Sequence, residues 1–403
     1  MKRYRILHIM NYYIPEMGYQ ENYLPAEQKK LGLFPFIITS DRYPPIQNYD
    51  QILAPVLGSR IQYPGRFKDN GVEILRLPVI LENIHHTYVL LKGLYRSILK
   101  IDPDIIHLHG VSGYLVFQVL IINSFLNMPL VMDSHTCYFN VNPYNFKKRF
   151  YYKILKRLVY PCFKSKIQKI LPINEDAKIF LKDELNIPES KLTILPLGTD
   201  VKTFYFSETE RVAFRKKLGL NPNDVVAIHS GKLSDRKQTS FLVNSLTGLF
   251  SNFPSFKLLI VGSGSKEYMD SIRFIVKEND MENKVFFYPF AQRNVLRKFY
   301  NAADIGIWPG DPSITIQEAM ACKLPIIVQD HRDTKELNAY TNGIVVRRGD
   351  KAQLLSAISK LVLNKKLRED LGEKSLQLVQ DILNWKSIAQ RSIELYREAL
   401  GRP

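Results

Sequence analysis

The sequence predicts an α/β protein of two tandem doubly wound domains followed by a helical tail. Three observations point there. The chain has 403 residues, more than a single hydrophobic core usually supports. Short apolar runs of strand length alternate with helix-length patterns, as in a buried parallel sheet covered on both faces. This alternation breaks off at a polar, charged stretch near the middle of the chain and then begins again.

Taken in order, "YRILHIMNY" (4–12) reads as a buried strand, followed by a turn at Gly18 and a helix ending near Gly32. Pro25 falls within that helix and is expected in its first turn, where a missing N–H costs nothing. Further strands are expected at 35–41, 72–79, 104–110, 129–136, 169–174 and 191–198. The stretch from Tyr43 to Asn70, rich in Pro, Gln, Tyr and Gly, reads as a long functional or mobile loop. The polar segment between "PLGTDVKTF" and "LGLNPNDVV" reads as a linker. The second series is "VVAIHSGKL" (225–233), "FKLLIVGSG" (256–264), "KVFFYPF" (284–290), "DIGIWPG" (304–310) and "LPIIVQD" (324–330). From about Lys351 only helices are expected. The resulting division is 1–203, 204–384 and a last helix at 385–403. Ligands of such sheets bind at the carboxyl ends of strands, and two facing domains make a cleft suited to a substrate.

The totals exclude several classes. No run approaches the roughly 18 apolar residues of a spanning helix, and the basic start runs into Pro15 and Glu16 without a signal-peptide core. Three widely spaced cysteines, Cys137, Cys162 and Cys322, indicate neither a disulfide framework nor a zinc site, and a reducing cytosol fits. Lys plus Arg number 56 against 39 Asp plus Glu, a formal charge of +17. Such an excess implies an anionic partner: nucleic acid, a phosphorylated small molecule or an anionic membrane.

Residues able to do chemistry gather at strand ends. In "HSGKLSDRKQTSF", Gly231 permits close approach of a ligand to the backbone, and Lys232 and Lys237 flank the turn into a helix. Two cations there suit a diphosphate or form a solvated basic turn. "VGSGS" (261–265) is a partial echo of a dinucleotide-binding turn. In "WPGDPSITIQEAMACKLPIIV" (308–328), Thr315 and Glu318 have the spacing of a capping box. Glu318 therefore either caps its own helix or holds ligand hydroxyls. The N–H groups of Ser313, Ile314 and Thr315 are placed to meet an anion. His135, in "DSHT", sits at a strand end. His107 and His109 share a strand face, but no acidic or cysteine ligand lies near them in sequence, so no metal site is expected.

The combination resembles the retaining, nucleotide-sugar-dependent glycosyltransferases of family 4, from residue 5 to about 398. The specific part is "HSGKLSDRK", "LLIVGSGS" and "DIGIWPGDPSITIQEAMACKLPIIV". "KLTILPLGTDVKTF", with Gly198, Asp200 and Phe204, looks like the family's passage between domains, and "NWKSIAQRSIELYREAL" like its last helix, which returns to the first domain. The resemblance implies two Rossmann-like domains of GT-B type. Residues 1–203 would bind the acceptor and 204–384 the nucleotide sugar. It implies that Lys237 binds the donor diphosphate, that Glu318 holds the nucleotide ribose, that His135 lies against the donor sugar and that Gly18 is near the phosphates. Lys232 stands where an Arg is usual, keeping the charge without the planar fork. Tyr19 replaces a second glycine. Family members usually carry a Glu eight residues before Glu318. That position is Gly310 here, and the nearest acid, Asp311, either contacts the sugar or caps the helix with Pro312 at its first position.

On the acceptor side, residues 142–170 contain nine Lys or Arg and no acid. At helical spacing Phe146, Phe150, Ile154 and Leu158 form one stripe, and Arg149, Lys153, Lys156 and Arg157 another. Such a segment is either an interfacial helix for an anionic membrane or a packing helix with a solvated basic face. The expected function is transfer of a hexosyl unit, with retention, from a UDP- or GDP-sugar to a sugar or lipid-linked hydroxyl in cell-envelope polysaccharide, lipopolysaccharide or glycolipid synthesis. The protein would be cytoplasmic and peripheral at the inner face of the membrane, with no cofactor, metal or nucleic acid. The alternatives are a nucleotide-sugar epimerase or hydrolase on the same fold, and a non-catalytic basic protein binding membrane or RNA.

Overall fold

The structure, a computed structural model, describes residues 4–46, 49–85, 87–138, 141 and 146–401. The chain forms two compact units: Met1–Gly198 with Trp385–Pro403, and Thr199–Asn384.

The first unit is built on a seven-stranded sheet. Its strands are β1 (Arg5–Ile9), β2 (Phe34–Ser40), β3 (Gly65–Asp69), β4 (Val72–Leu77), β7 (Ile105–His109), β8 (Leu130–Ser134) and β9 (Lys169–Pro172). A separate hairpin pairs β5 (Val79–Asn83) with β6 (Tyr88–Leu91). The sheet order is β3-β4-β2-β1-β7-β8-β9, parallel except for β3, which runs antiparallel on β4. Without β3 this is the doubly wound order, with its topological switch between β1 and β7. The strands are buried on both faces, as their unbroken apolar runs require. Tyr4, Ile6 and Leu24 meet Ile388, Leu395 and Tyr396 of the last helix, Trp385–Ala399, in one cluster. Trp385 stacks on Tyr23 at 5.5 Å. Each fully buried aliphatic side chain contributes about 1.5–3 kcal/mol, so this helix is an integral part of the first unit.

The second unit holds a six-stranded, all-parallel sheet: β10 (Val225–Lys232), β11 (Phe256–Ser263), β12 (Val285–Tyr288), β13 (Ile305–Trp308), β14 (Ile326–Gln329) and β15 (Gly343–Val346). Its order, β12-β11-β10-β13-β14-β15, is again doubly wound, with the switch between β10 and β13.

Several expectations need correction. The chain divides after Gly198 rather than after residue 203, because Thr199 N–H donates to the Leu383 carbonyl at 2.7 Å and Phe204 is buried in the second unit. Residues 191–198 form no strand. Thr193 and Leu195 donate to β9, but Pro172 and Pro196 lack the donors a ladder needs, and only Leu192 makes a bridge, to Ile170. The 43–70 stretch contains helices Tyr49–Ile52 and Ala54–Leu57 and strand β3. The linker carries a helix, Glu208–Lys217, capped where Ser207 Oγ accepts from Glu210 N–H. Pro25 lies at the sixth position of helix Gln20–Lys30, so it removes an interior hydrogen bond and not a spare donor.

Helix Phe146–Ile154 continues through a π-turn, Leu155–Val159. Its inner face is Tyr152 and Leu155. The stripe Phe146, Phe150, Ile154 and Leu158 points outward, 82%, 59%, 36% and 64% exposed. Residues 142–145 of the basic segment lie outside the described residues. Among the described residues no helix is long and apolar enough to cross a membrane.

Candidate active site

In the second unit the residues singled out by sequence gather at the carboxyl ends of β10 and β13. β10 ends on Gly231 and Lys232. Gly231 has φ +120°, a left-handed conformation that side chains rarely adopt, and a Cβ there would face Thr315. A cleft of 420 Å³ opens beside it, lined by Gly231, Lys232, Gly262, Phe290 and Thr315 among others. The glycines of "VGSGS" serve strand packing: a Cβ on Gly262 would lie 1.9 Å from the Gly231 carbonyl, and one on Gly264 2.5 Å from that of Leu233.

Helix Ile314–Ala321 starts at this cleft with Ser313 as its N-cap residue. Thr315 Oγ1 donates to the Ser230 carbonyl at 3.2 Å and lies 2.6 Å from Ser313 Oγ. These bonds fix the helix start against β10, where its first N–H groups lack intrahelical acceptors. Because Ser313 is the N-cap, Thr315 and Glu318 do not form a capping box, and that reading of Glu318 falls. Glu318 is 8% exposed. Among the described residues none hydrogen-bonds its carboxylate. Burial pushes its carboxyl up to about 7, against the Arg293 charge, which lowers it, while Asp200 adds to the rise.

Lys237 closes the 3-10 turn Asp235–Lys237. Its Nζ donates to the carbonyls of Asp311 (2.8 Å) and Pro312 (2.7 Å), so one of three ammonium protons is left for a ligand. Burial pulls the amine down to about 8; Asp311 opposes this and Arg236 adds to it. Gly310 packs on the same turn, where a Cβ would lie 2.4 Å from the Lys237 carbonyl carbon and 2.5 Å from the Arg236 oxygen. No larger residue fits, and the carboxylate usual at this position in the resembling family has no room here. Asp311 does not cap the helix with Pro312 at its first position, since the helix begins at Ile314 after Ser313. Its buried carboxylate is held by Arg236 Nε and Arg348 Nη1, both at 2.9 Å. The sequence reading missed Arg236 and Arg348. The signal for Arg236 was its place beside Lys237; Arg348 lies 37 residues beyond Asp311 and only the fold pairs them.

In the first unit, Gly18 (φ 81°) precedes helix Gln20–Lys30, with the Tyr19 side chain 60% exposed. His135 follows β8, and its Nε2 lies 2.7 Å from Gln20 Oε1. The structure therefore brings His135 to the start of the helix that Gly18 introduces. Gln20 Nε2 donates in turn to Asp133 Oδ2 at 3.1 Å. His107 and His109 do have an acidic neighbour, contrary to the sequence reading: Asp133, aligned with His109 across β7 and β8. Among the described residues His8, His107 and His109 are the one group of possible metal ligands, their ring nitrogens within 4.8 Å. The outer nitrogens face Gln28, Tyr396 and Asp133, and the rings stack rather than converge.

Two sequence families match: "Glycosyltransferase Family 4" over residues 27–203 and "Glycosyl transferases group 1" over 210–377. The alpha-monoglucosyldiacylglycerol synthase of Acholeplasma laidlawii is 26% identical over 59% of this chain and 61% of its own. An Escherichia coli UDP-Gal:alpha-D-GlcNAc-diphosphoundecaprenol alpha-1,3-galactosyltransferase is 25% identical over 66% of this chain and 68% of its own. The chain thus spans about six-tenths of the first of these relatives. A Rickettsia africae glycosyltransferase structure superposes over 100% of both chains with TM-score 0.74 and 17% identity. Anabaena HepE in complex with UDP does so over 98% of this chain and 100% of its own, with TM-score 0.73 and 14% identity. These share the fold, two Rossmann-like domains of GT-B type. With both halves matched, each by its own family, the chain belongs to the family 4 glycosyltransferases.

Proposed function

We propose that the protein transfers a hexosyl unit, with retention, from a nucleoside diphosphate sugar to a hydroxyl of a lipid-linked or sugar acceptor in cell-envelope glycolipid or polysaccharide synthesis. One observation carries the donor reading. A buried, unbonded carboxylate, Glu318, and a buried amine, Lys237, stand at the same strand ends, and each is held toward its neutral form. A UDP- or GDP-sugar offers ribose hydroxyls to the first and a diphosphate to the second.

In this reading Lys237, Lys232 and the N–H groups of Ser313, Ile314 and Thr315 neutralise the departing diphosphate, by preorganised charge rather than by covalent catalysis. Gly231 lets the phosphates approach the backbone. The bond from the anomeric carbon to the diphosphate oxygen breaks as that from the acceptor oxygen forms, and the acceptor proton passes to the departing diphosphate. Gly18 and His135 belong to the donor-sugar side. Asp311 acts by fixing Arg236 and Arg348 rather than by touching the sugar. No metal or other cofactor is needed by these residues.

The outward stripe Phe146, Phe150, Ile154 and Leu158, beside exposed Arg149, Lys153 and Arg157, supports peripheral attachment to an anionic membrane at the cytoplasmic face. Of the relatives named above, one by its name makes a monoglucosyldiacylglycerol and the other acts on a diphosphoundecaprenol-linked sugar, which favours a lipid-linked acceptor. The test is release of free nucleoside diphosphate from a panel of nucleotide sugars with and without lipid acceptors. Release that requires the acceptor is expected. Equal release without it would identify a hydrolase, and no turnover or binding of any nucleotide sugar would end the assignment.

A further inference from the structure

Beneath the carboxyl ends of β1 and β7 lies a buried group that the transfer reaction does not use. His8 and His107 are fully buried, His109 is 9% exposed and Asp133 1%. His107 and His109 stack at 4.6 Å, and His8 and His109 at 5.3 Å. Their protons can be placed one by one, because each end of the network is pinned by a group that can act in only one sense.

At one end, the Ser392 hydroxyl gives its only proton to the Ala389 carbonyl at 2.8 Å. Toward Gln28 it can therefore only accept. Gln28 Nε2 then faces Ser392 and Tyr396, both at 3.0 Å, and Gln28 Oε1 faces His8 Nε2 at 2.9 Å. So His8 Nε2 carries a proton. Tyr396, accepting from Gln28, donates its own proton to His107 Nδ1 at 2.5 Å. His107 Nε2 bears the proton that faces Asp133, 3.3 Å away.

At the other end, the Asp133 carboxylate only accepts, from Gly110 N–H at 3.1 Å and from Gln20 Nε2 at 3.1 Å, and His109 Nδ1 lies 2.6 Å from it. The His109 contact is too bent to be a well-directed hydrogen bond, so charge holds it. A bare nitrogen lone pair at that distance from a carboxylate would be repelled. With its NH₂ turned to Asp133, Gln20 presents Oε1 to His135, so His135 Nε2 is a donor.

The two arms meet where His8 Nδ1 lies 3.0 Å from His109 Nε2. Two lone pairs cannot face each other there, so one ring donates and thereby carries two N–H groups. On His8 the resulting charge would face the neutral Gln28. On His109 it faces Asp133. We propose that His109 is held as a buried imidazolium paired with Asp133, and that this ion pair, acting through Gln20, fixes the Nε2–H tautomer and ring orientation of His135. The link to transfer rests on the reading of His135 as the donor-sugar contact. His109, Asp133 and Gln20 are positioning residues in that scheme.

The groups facing His109 agree. They are His8 from β1, His107 on its own strand, Asp133 from β8, and Glu21 from helix Gln20–Lys30 as a more distant acid. Burial and the neighbouring histidines hold His8 and His107 below the ordinary imidazole value, while against burial the Asp133 charge raises His109. A buried ion pair of this kind is weak evidence of stability but a strong constraint on geometry.

The test is the ring-nitrogen spectrum of the full chain labelled with ¹⁵N-histidine, observed from pH 6 to 8. Two protonated nitrogens on His109, and one each on His8 and His107, are expected throughout, with Nε2 of His135 among the protonated nitrogens. Asp133→Asn, which keeps the shape, should convert His109 to a neutral ring and allow both tautomers of His135. It should lower kcat about tenfold with little change in nucleoside diphosphate affinity. His109→Gln, assayed in parallel, should release His135 in the same way. A neutral His109 in the wild type, a His135 tautomer unmoved in both variants, or a zinc-dependent shift of His8 and His109 together would overturn the proposal. Full turnover of His135→Ala with the proton map intact would instead sink the donor-sugar reading and leave the ion pair standing.

Discussion

Glu318 offers a sharp separation of stability from binding. Its carboxyl has an ordinary value of 4.5 and is pushed up to about 7 by burial in the folded protein. The folded value is raised, so the folded chain holds a proton between these limits that the unfolded chain has lost. Below about 4.5 both states are protonated and no penalty exists. As pH rises through about 7 the penalty reaches its full size, about 3 kcal/mol at 1.4 kcal/mol per tenfold. Glu318→Gln keeps the shape without the charge. The variant should therefore match the wild type at pH 4.5 and exceed it progressively up to pH 8, by up to about 3 kcal/mol of unfolding free energy.

Nucleotide affinity should move the opposite way. Hydrogen bonds to a charged group contribute about 1.5–3 kcal/mol, so replacing the carboxylate by an amide should weaken nucleoside diphosphate binding roughly tenfold to a hundredfold. Urea unfolding at pH 4.5, 6 and 8, with calorimetric titration of UDP and GDP at pH 8, measures both. A variant less stable than wild type at pH 8, or one with unchanged affinity for both nucleotides, would refute the assignment of this carboxylate to a ligand.

Lys237→Ala should leave the fold intact and lower turnover on the order of a hundredfold, since charge-assisted bonds to a developing diphosphate are worth a few kcal/mol; near wild-type turnover would remove Lys237 from the reaction. Because the Lys237 amine is held at about 8 and acts as a cation, kcat/KM should fall as pH rises through about 8. Asp311 supports the charged amine, so Asp311→Asn should move that limb to lower pH; an unmoved limb counts against the pairing. The chain should co-sediment with anionic vesicles at low salt and not with neutral ones, and changing Arg149, Lys153, Lys156 and Arg157 to Gln should remove about 4 kcal/mol of attraction, read as loss of co-sedimentation. Binding to neutral vesicles as strong as to anionic ones would refute the electrostatic part.

The strands beside the site were legible because burial on both faces writes itself as unbroken apolar runs, such as "ILHI" and "LLIV". What escaped was mostly edge structure. β3 and β4 join through Asn70 and Gly71, both at positive φ (49° and 76°), and Asn-Gly between strands is a strong hairpin signal. It went unread because β3, "GRFKD", is largely exposed and polar. β15, "GIVV", is apolar but only four residues long, at the edge of its sheet. The apolar run at 191–198 misled for the opposite reason: its Pro196 and the facing Pro172 of β9 lack donors, so hydrophobicity without a full ladder gave no strand.

At the site the order of legibility reverses. Residue types were readable, since Lys237 and Glu318 stand out against their surroundings, but their partners were not. Asp311 looked like a helix cap or a sugar contact because sequence shows only its neighbours, Gly310 and Pro312. The fold supplies Arg348, from beyond β15, and the carbonyls that hold Lys237. The same holds for His107 and His109, whose acid lies one strand away and 24 residues on. Local signals locate a charge that breaks the rules of burial. Only the fold reveals whether that charge is neutralised by the protein, as Asp311 is by Arg236 and Arg348, or left without a hydrogen-bonding partner among the described residues, as at Glu318. That distinction between satisfied and unsatisfied burial, more than the presence of an acid or a base, separates the groups that position the site from those that bind in it.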